Sequence, residues 1–233
     1  MKKIFCMTAI LATLLVVSTL AEEGAELKTP KDKLSYALGV DVATTLRRQS
    51  IEIDPAVFIQ GLNDAYAGHK LLLSDEEARG VLTDMQKQMR KKMEEARTQL
   101  ADNNMKAGET FLAENKKVQG VVTLPSGLQY KVVKAGDGKK PSLDDTVVCN
   151  YRGTLIDGKE FDSSYKRNQP ATFPVKGVIK GWTEALQLMP VGSKWQLFIP
   201  PGLAYGERGA GGDIGPNATL IFEVELVSIK DKS

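Results

Sequence analysis

The chain has 233 residues, room for one large domain or two small ones, with 42% hydrophobic and 26% charged residues as in ordinary soluble proteins. Lys and Arg number 31 against 29 Asp and Glu, so the net charge of +2 exerts no strong pull toward nucleic acid. A single histidine, His69, removes His-dependent triads and multi-histidine metal sites from consideration.

The N-terminus reads as a targeting segment. Lys2 and Lys3 open it, Ile4 to Val17 form an apolar core, and Ser18-Thr19-Leu20-Ala21 supply small residues before Glu22-Glu23. That is the layout of a secretory signal peptide over residues 1–21. The apolar run is at the short end of spanning length, about 17–25 residues, which disfavours a membrane anchor. With that segment removed, Cys149 is the one cysteine left, so no intramolecular disulfide can form. It lies in an apolar strand pattern and is expected to be buried and inert. His69 sits in a Gly68-His69-Lys70 turn and is expected to be solvated.

Residues 22–28 read as a leader, and residues 22–74 together as an N-terminal helical domain. Thr29-Pro30-Lys31-Asp32 supplies a cap, a proline at the first helical position and an acid three residues after the cap. Leu34, Leu38, Val42 and Leu46 then recur at fourfold spacing on one helical face. Asp54-Pro55 repeats the start signal, and Phe58, Ile59, Leu62, Ala65 and Tyr66 line a second helix that stops at Gly68. Two short amphipathic helices bury too little surface to stand alone and need a partner.

Ser74-Asp75-Glu76-Glu77 opens a far longer helix, assigned to residues 75–119, with helix formers through about Lys117. Val81, Leu82, Met85, Met89 and Met93 lie on one side of its first part. Two readings stay open: this stripe packs on the two preceding helices, or a second copy of the chain joins them in a symmetric dimer with the long helix as a spacer arm. Past Leu100 the stripe thins to Ala107, Phe111 and Leu112, which favours an arm with little to pack against. The basic run Lys87, Arg90, Lys91 and Lys92 reads as a solvated face.

Gln119-Gly120 and Leu124-Pro125-Ser126-Gly127 mark a linker, and a second domain is assigned to residues 120–233. There the periodicity becomes alternating. Leu128, Tyr130 and Val132 predict a half-buried strand with Gln129 and Lys131 outward, and Thr146–Arg152 a second. Asp157-Gly158 between strand-like flanks signals a hairpin. Lys194–Ile199 and Thr219–Ile229 complete the set, the last with Leu220, Phe222, Val224 and Leu226 inward. One short helix follows Trp182. The fold class is therefore α+β, a curved antiparallel sheet wrapped over a single helix.

That short helix carries the most informative stretch, Val178-Ile179-Lys180-Gly181-Trp182. A tryptophan at a loop-to-helix corner either plugs the core or lies flat as the floor of a pocket. Its company, Tyr151, Phe161-Asp162, Phe173, Tyr205-Gly206 and Phe222, favours the floor.

Five ordered motifs give the domain a family. They are Asp157-Gly158-Lys159-Glu160-Phe161-Asp162-Ser163-Ser164, Val178-Ile179-Lys180-Gly181-Trp182, Pro190-Val191-Gly192-Ser193, Leu203-Ala204-Tyr205-Gly206, and Ile214 through Phe222. In this order they resemble the FKBP-type peptidyl-prolyl isomerase domain. The N-terminal part, with Lys31-Asp32-Lys33-Leu34-Ser35-Tyr36 and the long helix, is similar to the Mip (macrophage infectivity potentiator) branch. The resemblance implies catalysis of cis-trans isomerisation at X-Pro bonds and a V-shaped homodimer joined through the N-terminal helices. It implies that proline-containing polypeptide segments and FK506- or rapamycin-like macrolide inhibitors bind, with no metal, cofactor or nucleic acid. It places the protein in the periplasm or on the outer-membrane surface of a Gram-negative bacterium, and leaves a role in virulence open.

Carried over position by position, the resemblance makes Asp162, Tyr205, Phe161 and Trp182 the catalytic set. Tyr151, Val178, Ile179, Ile214, Phe222 and Arg167 become substrate-binding residues. Trp182 would be the floor under the proline ring, Phe161 and Phe222 its walls, Tyr205 a donor to a substrate carbonyl, and Arg167 the residue that orients Asp162. Ala171, Ala210 and Asp213 depart from the family pattern, where Phe, His and an apolar residue are usual. The connection from Phe173 to Val178 is also about two residues shorter. These changes thin one wall and put a carboxylate in the loop over the pocket, bearing on inhibitor affinity and sequence preference. The alternative function is a non-catalytic dimeric chaperone or proline-peptide binding module.

Overall fold

The computed structural model describes residues 26–230; the expected signal segment, residues 1–21, lies outside the described residues. The chain divides into two compact units, the boundary falling between Ser74 and Asp75 in sequence.

The first unit holds two helices. Helix α1 (Pro30–Arg48) starts on a reciprocal cap: the Asp32 N–H donates to Thr29 Oγ1 at 3.1 Å and the Thr29 N–H to Asp32 Oδ2 at 2.8 Å. Helix α2 (Pro55–Ala67) starts where Asp54 Oδ1 accepts the Ala56 N–H at 2.8 Å, and stops at Gly68 in the left-handed region, φ +71°. Neither helix buries a residue within the chain. Leu34, Leu38 and Val42 of α1, and Phe58, Ile59 and Leu62 of α2, all remain exposed.

The second unit opens with α3 (Asp75–Asn115), whose 41 residues span about 60 Å. Seven strands follow: β1 (Val121–Thr123), β2 (Gln129–Lys134), β3 (Thr146–Leu155), β4 (Glu160–Ser163), β5 (Ala171–Pro174), β6 (Lys194–Ile199) and β7 (Leu220–Ile229). Helix α4 (Lys180–Leu186) lies between β5 and β6 in sequence. All pairings are antiparallel, in the order β1-β2-β6-β7-β3-β4, with β5 alongside β3. Alternation decides the faces. Leu220, Phe222, Val224 and Leu226 of β7 are buried beside Trp195, Leu197 and Ile199 of β6 and Cys149 and Tyr151 of β3. Trp182, Ala185 and Leu186 of α4 join the same core. The helix settles close because Gly181 has no side chain: a Cβ there would stand 2.6 Å from Ile199 Cγ2. The α+β architecture is the one expected.

Three local expectations fail. Residues 121–123 form β1, not linker; they close a hairpin with β2 in which the Leu124 N–H donates to the Leu128 carbonyl at 2.8 Å. In β2 the alternation is reversed at two positions: Gln129 is buried and Val132 is 45% exposed. Gln129 is tolerated inside because its Nε2 donates to the Leu112 carbonyl at 2.9 Å and its Oε1 accepts from Asn115 Nδ2 at 2.8 Å. The polar second half of α3 is not a free arm either. It lies on the outer side of the sheet, with Phe111 5.9 Å from buried Phe198 and Asn104 Nδ2 donating to the Pro216 carbonyl at 2.7 Å. Arg97 donates to the Glu207 carbonyl at 3.2 Å. Beyond Phe111 this docking uses amides and an arginine reaching backbone carbonyls, contacts that a periodicity reading does not register.

Candidate active site

The site is built on the floor laid by α4. Ile179 caps that helix, and its carbonyl accepts the N–H groups of Trp182 at 2.9 Å and Thr183 at 3.0 Å, so Trp182 enters on the first turn. The indole is 3% exposed and its N–H is buried without an acceptor among the described residues, so packing alone orients it. Three rings meet it nearly at right angles: Tyr151 at 5.4 Å, Phe222 at 5.2 Å and Phe173 at 5.7 Å. Phe161 stands edge-on to Phe222 at 5.4 Å. Edge-to-face contacts of this kind are the preferred geometry of aromatic pairs and fix the rings mutually.

A cavity of about 670 Å³ opens above that floor. Tyr151, Phe161, Asp162, Val178, Ile179, Trp182, Tyr205, Ile214 and Phe222 all line it. They arrive from β3, β4, β7, α4, the segment just before α4 and the loops before β7, so nine expected positions separated by as many as 71 residues converge on one hollow. Arg167, the tenth, does not line the cavity. Its Nη1 donates to Asp162 Oδ1 at 2.6 Å and its Nη2 to the Tyr151 hydroxyl at 2.7 Å, tying two lining residues together from outside.

Asp162 is held on both oxygens. The Tyr151 hydroxyl donates to Oδ2 at 2.5 Å, while Arg167 and the Ser163 N–H, the latter at 2.8 Å, donate to Oδ1. Partial burial raises its pKa, but the Tyr151 and Arg167 hydrogen bonds, the guanidinium charge and the Ser163 N–H together outweigh it. The carboxyl is therefore held below the ordinary aspartate value and is ionised at neutral pH. Burial, then the bond to Asp162, pushes the Tyr151 hydroxyl up. Tyr205, 40% exposed at the rim, is raised by burial and then by the Asp162 charge, so it stays protonated and able to donate. Cys149 is buried, its thiol pushed up to about 12 by desolvation, and so is no nucleophile.

Some lining residues were not assigned to the pocket from sequence. Phe173 was counted among the aromatics, and its place could have been read from the alternation of β5. Gly177 and the segment Ala210–Asp213 complete the rim. Gly153 lies beneath the walls: a Cβ there would come within 2.7 Å of both Phe161 and Phe222, so a glycine inside a strand was the signal of close approach. Of the three departures from the family pattern, Ala210 and Asp213 line the cavity and Ala171 packs half-buried against the core. Asp213 is not a bare charge: Lys159 Nζ donates to its Oδ1 at 2.7 Å. Among the described residues no cluster of metal-ligating side chains occurs.

A curved antiparallel sheet closed over one helix, with a ring-lined hollow at the start of that helix, defines a class of protein that grips apolar groups between aromatic walls. The comparisons identify which. The family described as FKBP-type peptidyl-prolyl cis-trans isomerase matches residues 137–227, and the domain amino-terminal to it in that family matches residues 31–132. The chain is 46% identical to the "Outer membrane protein MIP" of Legionella longbeachae over 99% of both chains. It is 50% identical to the "Peptidyl-prolyl cis-trans isomerase Mip" of Coxiella burnetii over 94% of this chain and 95% of that one. Among solved structures, FkpA from Escherichia coli superposes with a TM-score of 0.72 at 41% identity, covering 88% of this chain and 99% of that one. The chain belongs to the FKBP-type peptidyl-prolyl cis-trans isomerases and is similar to their Mip members; it is an enzyme that isomerises X-Pro bonds.

Proposed function

We propose that the aromatic hollow over Trp182 is where the proline ring of an exported client is held during isomerisation, and that catalysis is entirely non-covalent. The observation carrying this is the convergence of Tyr151, Phe161, Trp182, Tyr205 and Phe222 with Asp162 around one cavity. The amide C–N bond resists rotation, with a barrier of ~18–20 kcal/mol, because the planar form has partial double-bond character. That form is also the charge-separated one. A dry aromatic surrounding favours the less polar, twisted amide, which lowers the barrier without a nucleophile or a metal. Trp182 supports the ring from below while Phe161 and Phe222 wall it in. The ionised Asp162 is an oriented, fixed charge beside the swinging carbonyl, and Tyr205 supplies a donor to a substrate carbonyl. The backbone N–H of Ile179 is a second donor at the rim. FK506- and rapamycin-like macrolides are proposed to occupy the same hollow.

The clients are proposed to be proteins of the periplasm or outer membrane. The signal-like N-terminus and the name of the Legionella relative support this reading, and no helix among the described residues is long and apolar enough to cross a membrane. The uncovered apolar faces of α1 and α2 support a homodimer through the N-terminal helices. They also favour a second activity, chaperone capture of unfolded chain between two arms. Residues 22–74, 75–119 and 120–233 are proposed as dimerisation domain, connecting helix and isomerase domain.

A protease-coupled assay of proline isomerisation on the mature chain tests the assigned roles. Tyr205→Phe is expected to lower kcat/KM about tenfold, equivalent to about 1.4 kcal/mol of barrier. An unchanged rate would remove Tyr205 from the mechanism. Suppression of aggregation of a proline-free client by the Tyr205→Phe variant would support the chaperone activity separately.

A further inference from the structure

The segment Ala210–Ile214 stands up as a flap. The Ala210 N–H donates to the Ile214 carbonyl at 2.9 Å and the Ile214 N–H to the Ala210 carbonyl at 3.1 Å, closing a small hairpin with glycines at its tip. One side of the flap is a wall of the aromatic hollow. The other side faces a second cavity of about 420 Å³, lined by Leu100 and Asn104 of α3, Leu155 at the end of β3, Ile156 and Asp157 of the turn after it, and Ala218 and Thr219. Gly212 and Asp213 belong to both cavities. Lys159, two residues after Asp157 in that turn, holds Asp213 at 2.7 Å, so the partition between the two hollows is tied to the turn.

We propose that this second cavity is a subsite of the same groove, taking a large apolar side chain of the client two or three residues away from the bound proline. The inference rests on the reading of the aromatic hollow as the proline site. Its occupant follows from continuity and chemistry. A client whose proline sits in the hollow must leave it past the rim, and the tip of the flap is the part of the rim that both cavities share. A Cβ built on Gly211 or Gly212 meets nothing within 4 Å, so the tip presents bare backbone and open space. An extended chain covers roughly 7–10 Å in two to three residues, enough to cross a single hairpin and lower a side chain on its far side. What waits there includes an apolar set, Leu100, 47% exposed, with Leu155, Ile156 and Ala218, beside the polar Asn104, Asp157, Asp213 and Thr219. A leucine or phenylalanine side chain removes that surface from water, whereas a glycine or an aspartate gains nothing from it. The subsite draws one wall from α3, so it is made by the docking of the long helix and is absent from an isomerase domain standing alone.

The test compares kcat/KM of the mature protein for a four-residue proline peptide with that for extended peptides carrying Leu or Gly two and three residues from the proline on either side. The expected result is a preference of about fivefold or more for Leu over Gly on one side, expressed in KM. Leu100→Glu, a change at an exposed position, is expected to abolish the preference while the four-residue peptide is turned over as before. Equal rates for Leu and Gly peptides in the unaltered protein would overturn the inference. So would a preference that survives Leu100→Glu. Failure to accelerate even the four-residue peptide would instead reject the reading of the aromatic hollow on which it rests.

Discussion

At the scale of single residues, Asp162 carries the sharpest expectation. Its native pKa is depressed, so the carboxylate contributes stability that is present above the ordinary aspartate value of about 3.9 and is lost as pH falls through that value toward the lower native one. Tyr151 and Tyr205 are both shifted upward, away from neutrality. With Cys149, in the core outside the cavity, pushed up to about 12, neither it nor these three groups changes charge across the neutral range. Isomerase activity is thus expected to be flat from about pH 5 to pH 9 and to fall only in acid, as Asp162 takes up a proton and its salt bridge to Arg167 is lost. Asp162→Asn should lower kcat/KM at pH 7 by about fivefold to tenfold and remove most of the acid limb. A bell-shaped profile centred near neutrality would contradict catalysis by environment alone and point to a general acid or base.

At the scale of elements, the fit of α3 on the sheet turns on Gly108. Glycine inside a helix is unfavourable by about 1 kcal/mol relative to alanine, so on propensity alone Gly108→Ala should stabilise. The structure argues the reverse: the new Cβ would stand within 2.3 Å of Thr219 Oγ1 and 3.2 Å of Thr219 Cβ, while Thr219 itself is 2% exposed. The substitution is expected to destabilise by about 1–3 kcal/mol in urea unfolding, as overpacking does. Pairing it with Thr219→Ala removes the obstructing hydroxyl and should recover most of the loss, a coupling that a double-mutant cycle measures directly. Additive effects would mean that α3 shifts freely on the sheet. The same contact bears on the site, because Thr219 lies immediately before β7, the strand that carries Phe222.

At the scale of the whole molecule, the first unit has apolar faces and no core. α1 and α2 bury nothing of their own, and Leu38, Phe58, Ile59 and Leu62 stand among the exposed large side chains. A folded pair of helices with that much uncovered surface is expected to find a second copy. Light scattering should give a dimer for residues 22–233 and a monomer for residues 75–233, with the four-residue proline peptide isomerised at similar rates by both. Monomers in both preparations would end the proposal of assembly through the N-terminal helices.

Read without the fold, the chain determined its own local structure and its chemistry. Thr29-Pro30, Asp54-Pro55 and Gly68 bound the first two helices because capping and φ preferences act within a few residues. The alternation of Leu220 to Leu226 set the inner face of β7, and the ordered motifs around Phe161, Trp182 and Tyr205 held residues that line one cavity. Tertiary structure alone decided what those elements meet. Gln129 is inside and Val132 outside because α3 supplies partners for an amide, which no pattern in β2 reveals. Asn104 meets Pro216 across 112 residues of sequence, and Lys159 meets Asp213 across 54. Such contacts are made by polar and small side chains that carry no periodic signature, and their partners become neighbours only once the sheet has closed over its helix.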